Sequence, residues 1–344
     1  MSIVPEGTKI VLEPRDEYCH EPEAATNYNE SMYFNVFDPT RLVGGWFRLG
    51  NRVHEGYAEM SCCIYLADGR IGFMYARPAI EHNRELAAGG MRFDVVEPFR
   101  ELRVTYDGPV CLLREPRQMA DPSSAFKNNP SVDCHVDLAY TGVAPMYGGK
   151  TVREDGSDIP LDPEKSFARA HYEQHVRASG TIVVGDERHQ IDGFGLRDKS
   201  WGPRYWQAIY WYRWLPMSFG RDFAMMLSIV AAENGAVRRS GMVLREGAYV
   251  PVVDAKVESE WDEDGYQTRL RAWARTDERE YEISGRILSL IPLRNRRRAA
   301  DGSRLVTRIT EGMTEFHCDG RIGYGFSEYL DQVVDGKPVG LDQT

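Results

Sequence analysis

Short segments that alternate apolar and polar residues recur along this chain, and tight-turn sequences separate them. Residues 57–66 and 70–76 flank an Ala-Asp-Gly turn, and residues 223–231 and 236–244 flank an Asn-Gly turn. A period of two places successive side chains on opposite faces of a β-strand, and Asp-Gly or Asn-Gly pairs are typical of hairpin turns. The pattern therefore predicts an all-β protein of antiparallel strands, folded as a sandwich or a barrel.

The length of the chain predicts two such domains, because 344 residues are many for a single core. Both halves show strand, turn and strand at a spacing of roughly ten residues. The segment from Gly142 to Asp162 is rich in glycine, proline and polar residues, as domain boundaries often are. We predict domains over residues 1–165 and 166–344, with short helices near residues 79–88 and 161–170.

Composition narrows the range of partners. A formal net charge of −10 argues against binding to a nucleic-acid backbone, and the basic run at residues 294–298 is predicted to be a solvated loop. No run of 18 apolar residues occurs, so we expect no membrane insertion. The six cysteines lack CxxC spacing, and the first residues do not resemble a signal peptide. We therefore expect reduced thiols and a cytoplasmic location.

The sequence lacks the motifs of several large enzyme classes. It contains no phosphate-binding loop, no G-x-S-x-G elbow and no H-E-x-x-H. Residues 193–195, Gly-Phe-Gly, do not continue into a dinucleotide fingerprint. These absences disfavour nucleotide, nicotinamide and serine-hydrolase chemistry, and we expect no cofactor.

Residues 193–216 combine large aromatic rings with embedded charges. Four of the seven tryptophans fall in this run, together with Asp198, Lys199 and Arg204. A carboxylate desolvated beside Trp201 would have a raised pKa and could act as an acid near neutral pH, although a nearby cation would lower that pKa. The structural alternative is an ion pair between Asp198 and Arg204 that fixes the loop.

From residue 206 onward, the even positions carry aromatic side chains. On a strand, Trp206, Tyr210, Tyr212 and Trp214 would share one face and line a barrel interior. Such a face could be plain core. Buried tyrosine hydroxyls nevertheless need partners, and a ligand could supply one.

The segment His171-Tyr-Glu173-Gln-His175 has three interpretations. Its odd positions project from one strand face, so two imidazoles and a carboxylate could converge on a metal ion. The same side chains could serve as a buried acid–base or hydrogen-bonding group. They could also form a plain polar face that continues to Arg177.

Three segments resemble the carotenoid hydratase (hydroxyneurosporene synthase)/AttH-like superfamily, and in particular its bacterial branch. They are His171-Tyr-Glu-Gln174, Gly193-x-Gly195-x-Arg-Asp198-x-Ser-Trp-Gly-Pro-Arg204 and Gly323-Tyr-Gly-x-Ser-Glu-Tyr329. The resemblance implies a tandem pair of lipocalin-like β-barrels. It also implies chemistry without a redox cofactor, such as alkene hydration, cyclisation or isomerisation.

In the hydratases of that superfamily, a D-H-x-W-G motif is implicated in substrate protonation. The resemblance puts Asp198 and Trp201 in register with it, whereas Lys199 stands where the superfamily often has histidine. A lysine shuttles protons near pH 7 only if burial lowers its pKa.

Together these observations predict a cofactor-independent lyase, hydratase or isomerase acting on a hydrophobic aromatic or terpenoid-type molecule. Asp198 or Glu173 would transfer a proton, while Arg204 and Lys199 would orient a phenolate, carboxylate or hydroxyl. A homodimer is the expected assembly. The alternatives are a non-catalytic carrier of a lipophilic ligand and a metal-dependent enzyme. The candidate catalytic residues are Asp198, Glu173, Lys199 and His171, and the candidate substrate-binding residues are Trp201, Arg204, Trp206, Tyr210, Tyr212, Trp214 and His175.

Overall fold

The computed structural model of the protein describes residues 6–298 and 301–341. Twelve antiparallel strands form its first sheet. They are β1 (Thr8–Val11), β2 (Tyr28–Asp38), β3 (Val43–Arg52), β4 (Tyr57–Tyr65), β5 (Ile71–Ala76), β6 (Leu86–Ala88), β7 (Met91–Glu97), β8 (Glu101–Leu113), β9 (Ser131–Gly142), β10 (Tyr147–Arg153), β11 (Ala170–Val184) and β12 (Glu187–Pro203).

Ten further strands form the second sheet. They are β13 (Trp211–Ser218), β14 (Phe223–Ala231), β15 (Val237–Arg245), β16 (Ala248–Pro251), β17 (Asp254–Trp261), β18 (Gln267–Arg275), β19 (Glu280–Arg298), β20 (Arg304–Cys318), β21 (Arg321–Val334) and β22 (Lys337–Pro338). One α-helix, α1 (Pro122–Asn128), occurs in the described part of the chain, so the all-β prediction is confirmed.

Eight strands of the first sheet close into a barrel. The order runs β11-β12-β2-β3-β4-β5-β8, and β9 completes the ring by pairing with both β8 and β11. Apolar side chains fill the interior, among them Phe34, Phe47 and Leu138, which are fully buried. Closure pairs the backbone groups that an open sheet leaves exposed at its edges.

The second sheet has its own core. Its strand order is β16-β15-β14-β13-β21-β20-β19-β18-β17, with β22 beside β21. Leu215 and Met217 on β13 pack with Phe316 on β20 and Tyr329 on β21. Each sheet therefore encloses a separate apolar cluster, as expected for two domains.

The predicted domain boundary at residue 165 was wrong. The chain divides into one unit of residues 1–114 and 129–205 and a second of residues 115–128 and 206–344. Strands β11 and β12 close the first barrel, so residues 166–205 belong to the first unit. The glycine- and proline-rich segment lies within that unit and contains β10, which pairs with β1 and β11. The composition of a segment does not reveal such long-range strand pairing.

Several local predictions also need correction. No α-helix forms at residues 79–88 or 161–170, where the structure has turns and the short strand β6. The basic residues 294–298 lie in β19 rather than in a loop. The hairpin predicted around Asp68-Gly69 is confirmed by pairing of β4 with β5. No helix among the described residues is long and apolar enough to cross a membrane.

Candidate functional site

Strand β12 carries charged side chains on both of its faces. Arg197 and Lys199 project toward the barrel interior, while Asp198 and Ser200 project from the outer face, because side chains alternate along a strand. Gly195 lies just before these residues, where β12 passes close to β2. A Cβ atom at this position would lie 2.1 Å from the carbonyl oxygen of Asn35, so only glycine fits. The segment that sequence analysis treated as one site thus contributes to two separate clusters.

The inner cluster is built on an ion pair between Lys199 and Glu30. Both side chains are 0% exposed, and Nζ of Lys199 lies 2.5 Å from Oε1 of Glu30. Nζ also donates to the carbonyl oxygens of Asp16 at 2.8 Å and Tyr18 at 2.9 Å. All three ammonium protons therefore have acceptors within the protein.

Further donors hold Glu30 in its ionised form. Its Oε2 accepts hydrogen bonds from Tyr28 at 2.7 Å and Asn83 at 3.0 Å, and Nδ1 of His20 lies 2.8 Å from its Oε1. Burial alone would raise the pKa of Glu30, but the charges and hydrogen bonds of Lys199 and His20 outweigh burial and lower this pKa to about 2. The carboxylate is thus stabilised as an anion.

The inner cluster also binds the N-terminal segment of residues 13–20. Nη1 of Arg197 donates to Glu17 at 2.8 Å, and the hydroxyl of Tyr172 donates to the same carboxylate. The ring of Trp201 stacks on His20 at 4.0 Å, and Nζ of Lys199 lies 4.9 Å from the centroid of that indole. Lys199 and Trp201, predicted as site residues, therefore help to fix this segment.

Glu30 makes the stability of the first unit sensitive to acid. A pKa lowered from 4.5 to about 2 stabilises the fold fully above pH 4.5, and this contribution disappears as the pH falls toward 2. We expect a loss on the order of 3 kcal/mol. Urea unfolding at pH 6, 4 and 3 would show a steeper decline for the wild type than for Glu30→Gln. Parallel declines would contradict this account.

Within the residues that the structure describes, Asp198, on the outer face, lacks the hydrogen bonds and ion pair that stabilise Glu30 in the inner cluster. The register places it between Glu173 on β11 and Tyr33 on β2, and its side chain is half-buried. Among residues 6–298 and 301–341, no hydrogen bond or ion pair to its carboxylate is found. Burial raises the pKa of Asp198 to about 6, although the charges of Arg204 and Arg48 oppose the rise.

Arg204 lies on the same outer face. Its Nη2 donates to Oγ of Ser200 at 2.6 Å, and its guanidinium carbon lies 4.2 Å from the ring centroid of Phe167. The ion pair with Asp198, expected as a structural alternative, does not form within 4.0 Å in the described chain. Arg204 therefore affects Asp198 through its field rather than by direct contact.

The triplet on β11 is only partly brought together. Glu173 and His175 are buried, whereas the side chain of His171 is 49% exposed, with Nε2 4.0 Å from Oε1 of Glu173. Glu173 lies directly opposite Asp198, so two carboxyl groups are neighbours on this face. No group of three or more His, Cys, Asp or Glu side chains in the described ranges could hold a metal ion, so the metal hypothesis has no geometric support.

The aromatic residues around Asp198 were not predicted from the sequence. Tyr33 adjoins Asp198 across the β2–β12 pair. The ring of Tyr33 stacks on that of Trp46 with 6.1 Å between ring centroids, and the centroids of Trp46 and Phe73 are 6.2 Å apart. Arg48, which lies opposite Tyr33 on β3, was not predicted either. The alternation of residues 28–38 and 43–52 would have predicted these strands. The pairing of β2 with β12, more than 140 residues away, leaves no local signal.

The predicted aromatic face beyond residue 206 lies in the second unit and is not a strand throughout. Trp206 belongs to a 3₁₀ turn, and β13 begins at Trp211. The odd positions of β13 enter the core, so the expectation that the even positions line a barrel interior was wrong. Tyr212 and Trp214 are half-buried on the opposite face, where Tyr212 hydrogen-bonds Glu328, while Tyr210 packs against the edge of the core.

Comparison of the whole chain with known proteins places these clusters in a family context. The sequence matches the family model for a domain of unknown function, DUF7064, over residues 13–333. The chain belongs to the DUF7064 family. Residues 13–333 include both the Lys199–Glu30 cluster and Asp198. Among curated proteins, no sequence matches this DUF7064 chain significantly.

Solved structures share the fold of the DUF7064 chain. A candidate AttH from Nitrosomonas europaea superposes with a TM-score of 0.59 at 13% identity, covering 96% of this chain and 98% of the other. Kievitone hydratase from Nectria haematococca superposes with a TM-score of 0.53 at 8% identity, with the same coverage of 96% and 98%. The DUF7064 chain therefore has the tandem lipocalin-like fold of AttH-like and hydratase proteins. The family match itself gives no carotenoid hydratase assignment.

Proposed function

We propose that the protein is a cofactor-independent lyase, hydratase or isomerase in which Asp198 is the proton donor to a hydrophobic substrate. The observation that supports this most is the state of Asp198: a half-buried carboxyl group with a pKa of about 6 and no hydrogen-bond partner among the described residues. Such a group is protonated often enough near neutral pH to act as a general acid. It also has unused hydrogen-bonding capacity for a substrate.

The surroundings of Asp198 suit a reaction through a cationic intermediate. Protonation of a carbon–carbon double bond by Asp198 would leave a carbocation, which the π-faces of Tyr33 and Trp46 could stabilise. Loss of a proton to Glu173, the carboxyl group opposite Asp198, would complete an isomerisation. Addition of water, with return of its proton to Asp198, would complete a hydration.

Lys199 has a different role in this proposal. Its three protons are bound by Glu30 and two backbone carbonyl groups, so it serves as a positioning residue for β12 rather than as a proton shuttle. Because Asp198 is the residue before Lys199 on β12, fixing Lys199 also fixes the backbone from which Asp198 projects to the outer face. The cytoplasmic location and the homodimer stay predictions.

The reaction can be tested without knowing the substrate. Chelator-treated protein is incubated in D₂O with a small-molecule extract of its source cells, and mass spectrometry follows changes in mass. We expect one compound to gain deuterium or water catalytically, and the change to disappear with Asp198→Asn. Retention of a compound without chemical change would instead identify a carrier and overturn the proposal.

A further inference from the structure

A row of small residues crosses three strands beside Asp198. Ser200 on β12, Ser31 on β2 and Gly50 on β3 are paired in register, and the two serine Oγ atoms lie 3.4 Å apart. A Cβ atom at Gly50 would lie 2.8 Å from Nη2 of Arg48 and 2.9 Å from Oδ1 of Asn29. We call this row the small-residue bed. Its small side chains allow the polar atoms of Arg48 and Asn29 to approach the sheet closely on the outer face.

Two guanidinium groups lie over the small-residue bed. Arg204 reaches Ser200 at 2.6 Å, while Nη1 of Arg48 donates to Glu59 at 3.0 Å. Burial and the charge of Arg48 together lower the pKa of Arg204 to about 9, which means that two like charges are close together in a partly desolvated place. Their repulsion costs free energy that a bound anion would offset.

Acidic side chains also lie around the small-residue bed. Glu59 is shared between Arg48 and Arg52, since its Oε1 lies 3.3 Å from Nε of Arg52. Arg52 also pairs with Glu55 at 2.8 Å. Glu59 is therefore divided between two guanidinium groups, and Glu173 is a further buried carboxyl group on the same face.

Asn29 supplies an independent sign of a ligand. Its side chain is 1% exposed, and Oδ1 makes no hydrogen bond with any described residue. A buried acceptor without a donor costs about 1–3 kcal/mol. Because Oδ1 faces the bed next to Nη2 of Arg48, a ligand that combines an anionic oxygen with a neighbouring hydroxyl would satisfy both residues.

We propose that the substrate carries a carboxylate, which Arg48 and Arg204 bind over the small-residue bed, and that Asn29 accepts a hydrogen bond from a hydroxyl next to it. Two guanidiniums match a carboxylate because its two oxygens accept several N–H donors, and it is ionised at neutral pH without assistance. The inference rests on the proposed function, since it holds the substrate beside the proton donor. A bound anion would also favour the protonated form of Asp198.

The test compares two aromatic probes that differ in charge. Isothermal titration calorimetry at pH 7.5 and low salt measures the Kd of 2-naphthoate and of 2-naphthalenemethanol. We expect the wild type to bind the carboxylate at least tenfold more tightly. Arg204→Gln should reduce that ratio to below twofold, and so should Arg48→Gln, which serves if the first variant does not fold.

Arg177→Gln is the matched control, because Arg177 lies on β11 in an exposed pair with Asp192 and should keep the full preference. Equal affinities in the wild type, or an unchanged preference in folded Arg204→Gln and Arg48→Gln, would overturn the inference. Binding needs no turnover, so the two proposals fail separately. If Asp198→Asn keeps both the preference and full turnover, only the proposed function is wrong; if the preference is absent while Asp198→Asn abolishes turnover, only this inference is wrong.

Discussion

Replacing Lys199 by methionine is expected to destabilise the protein by about 3–5 kcal/mol. The substitution keeps most of the side-chain volume but leaves Glu30, whose side chain is 0% exposed, without its closest cation. It also removes the donor to the carbonyl groups of Asp16 and Tyr18, so residues 13–20 lose part of their attachment. Urea unfolding followed by tryptophan fluorescence would measure the change in the free energy of unfolding.

The chain offers a matched control for this experiment. Lys256 and Glu258 form an ion pair with the same N–O distance of 2.5 Å, but their side chains are 55% and 39% exposed. Because water screens such pairs, Lys256→Met should cost less than about 1 kcal/mol. The double variant Glu30→Gln/Lys199→Met should recover part of the stability, since no buried charge is then left alone. Equal effects of the two lysine substitutions would show that burial does not govern the pair.

Asp198→Asn is expected to lower kcat/KM by about 10²–10⁴, the usual contribution of a general acid. The amide has nearly the same shape but cannot donate a proton to carbon, so folding should be unaffected. Asp192→Asn is the control on the same strand, because Asp192 is exposed and paired with Arg177. If both variants retain full activity on the substrate found in D₂O, Asp198 is not the acid.

The same assignment fixes the direction of the pH dependence. Because the proton donor must be protonated, kcat/KM should fall tenfold per pH unit well above pH 6, given a pKa of about 6. The charged or titratable groups around Asp198 are Glu173, His171 and His175 on β11, Tyr33 on β2, Arg48 on β3, Arg197 on β12 and Arg204 after β12. A profile that rises with pH would identify a base instead.

The sequence predicted the raised pKa of Asp198 but not its cause. Desolvation beside Trp201 was the expected reason, yet Trp201 lies on the other face of β12, against His20. The neighbours of Asp198 come from β11, β2 and β3. In the closed barrel, β11 and β2 pair with β12, and β3 pairs with β2. Alternation within one strand was therefore predictable, whereas the identity of the strand beside it was not.

The contacts of Lys199 were also not predictable from the sequence around it. Its position next to Asp198 and two residues before Trp201 suggested a reactive group. The structure instead pairs it with Glu30, 169 residues earlier, and with two carbonyl groups of the N-terminal segment. Adjacent residues on a strand point to opposite sides, so a short charged motif can contribute to two unrelated clusters.

The segment between β8 and β9 has a consequence for how the chain is made. Residues 115–128 leave the first unit and belong to the second, where α1 and Arg117, which pairs with Asp262, are placed. On the ribosome these residues emerge long before β13. They therefore have no second unit to pack against while the first barrel forms from the strands on either side of them. A single cut after residue 205 would likewise separate this segment from the unit that it completes. The two units are therefore distinct in space but not separable as consecutive fragments.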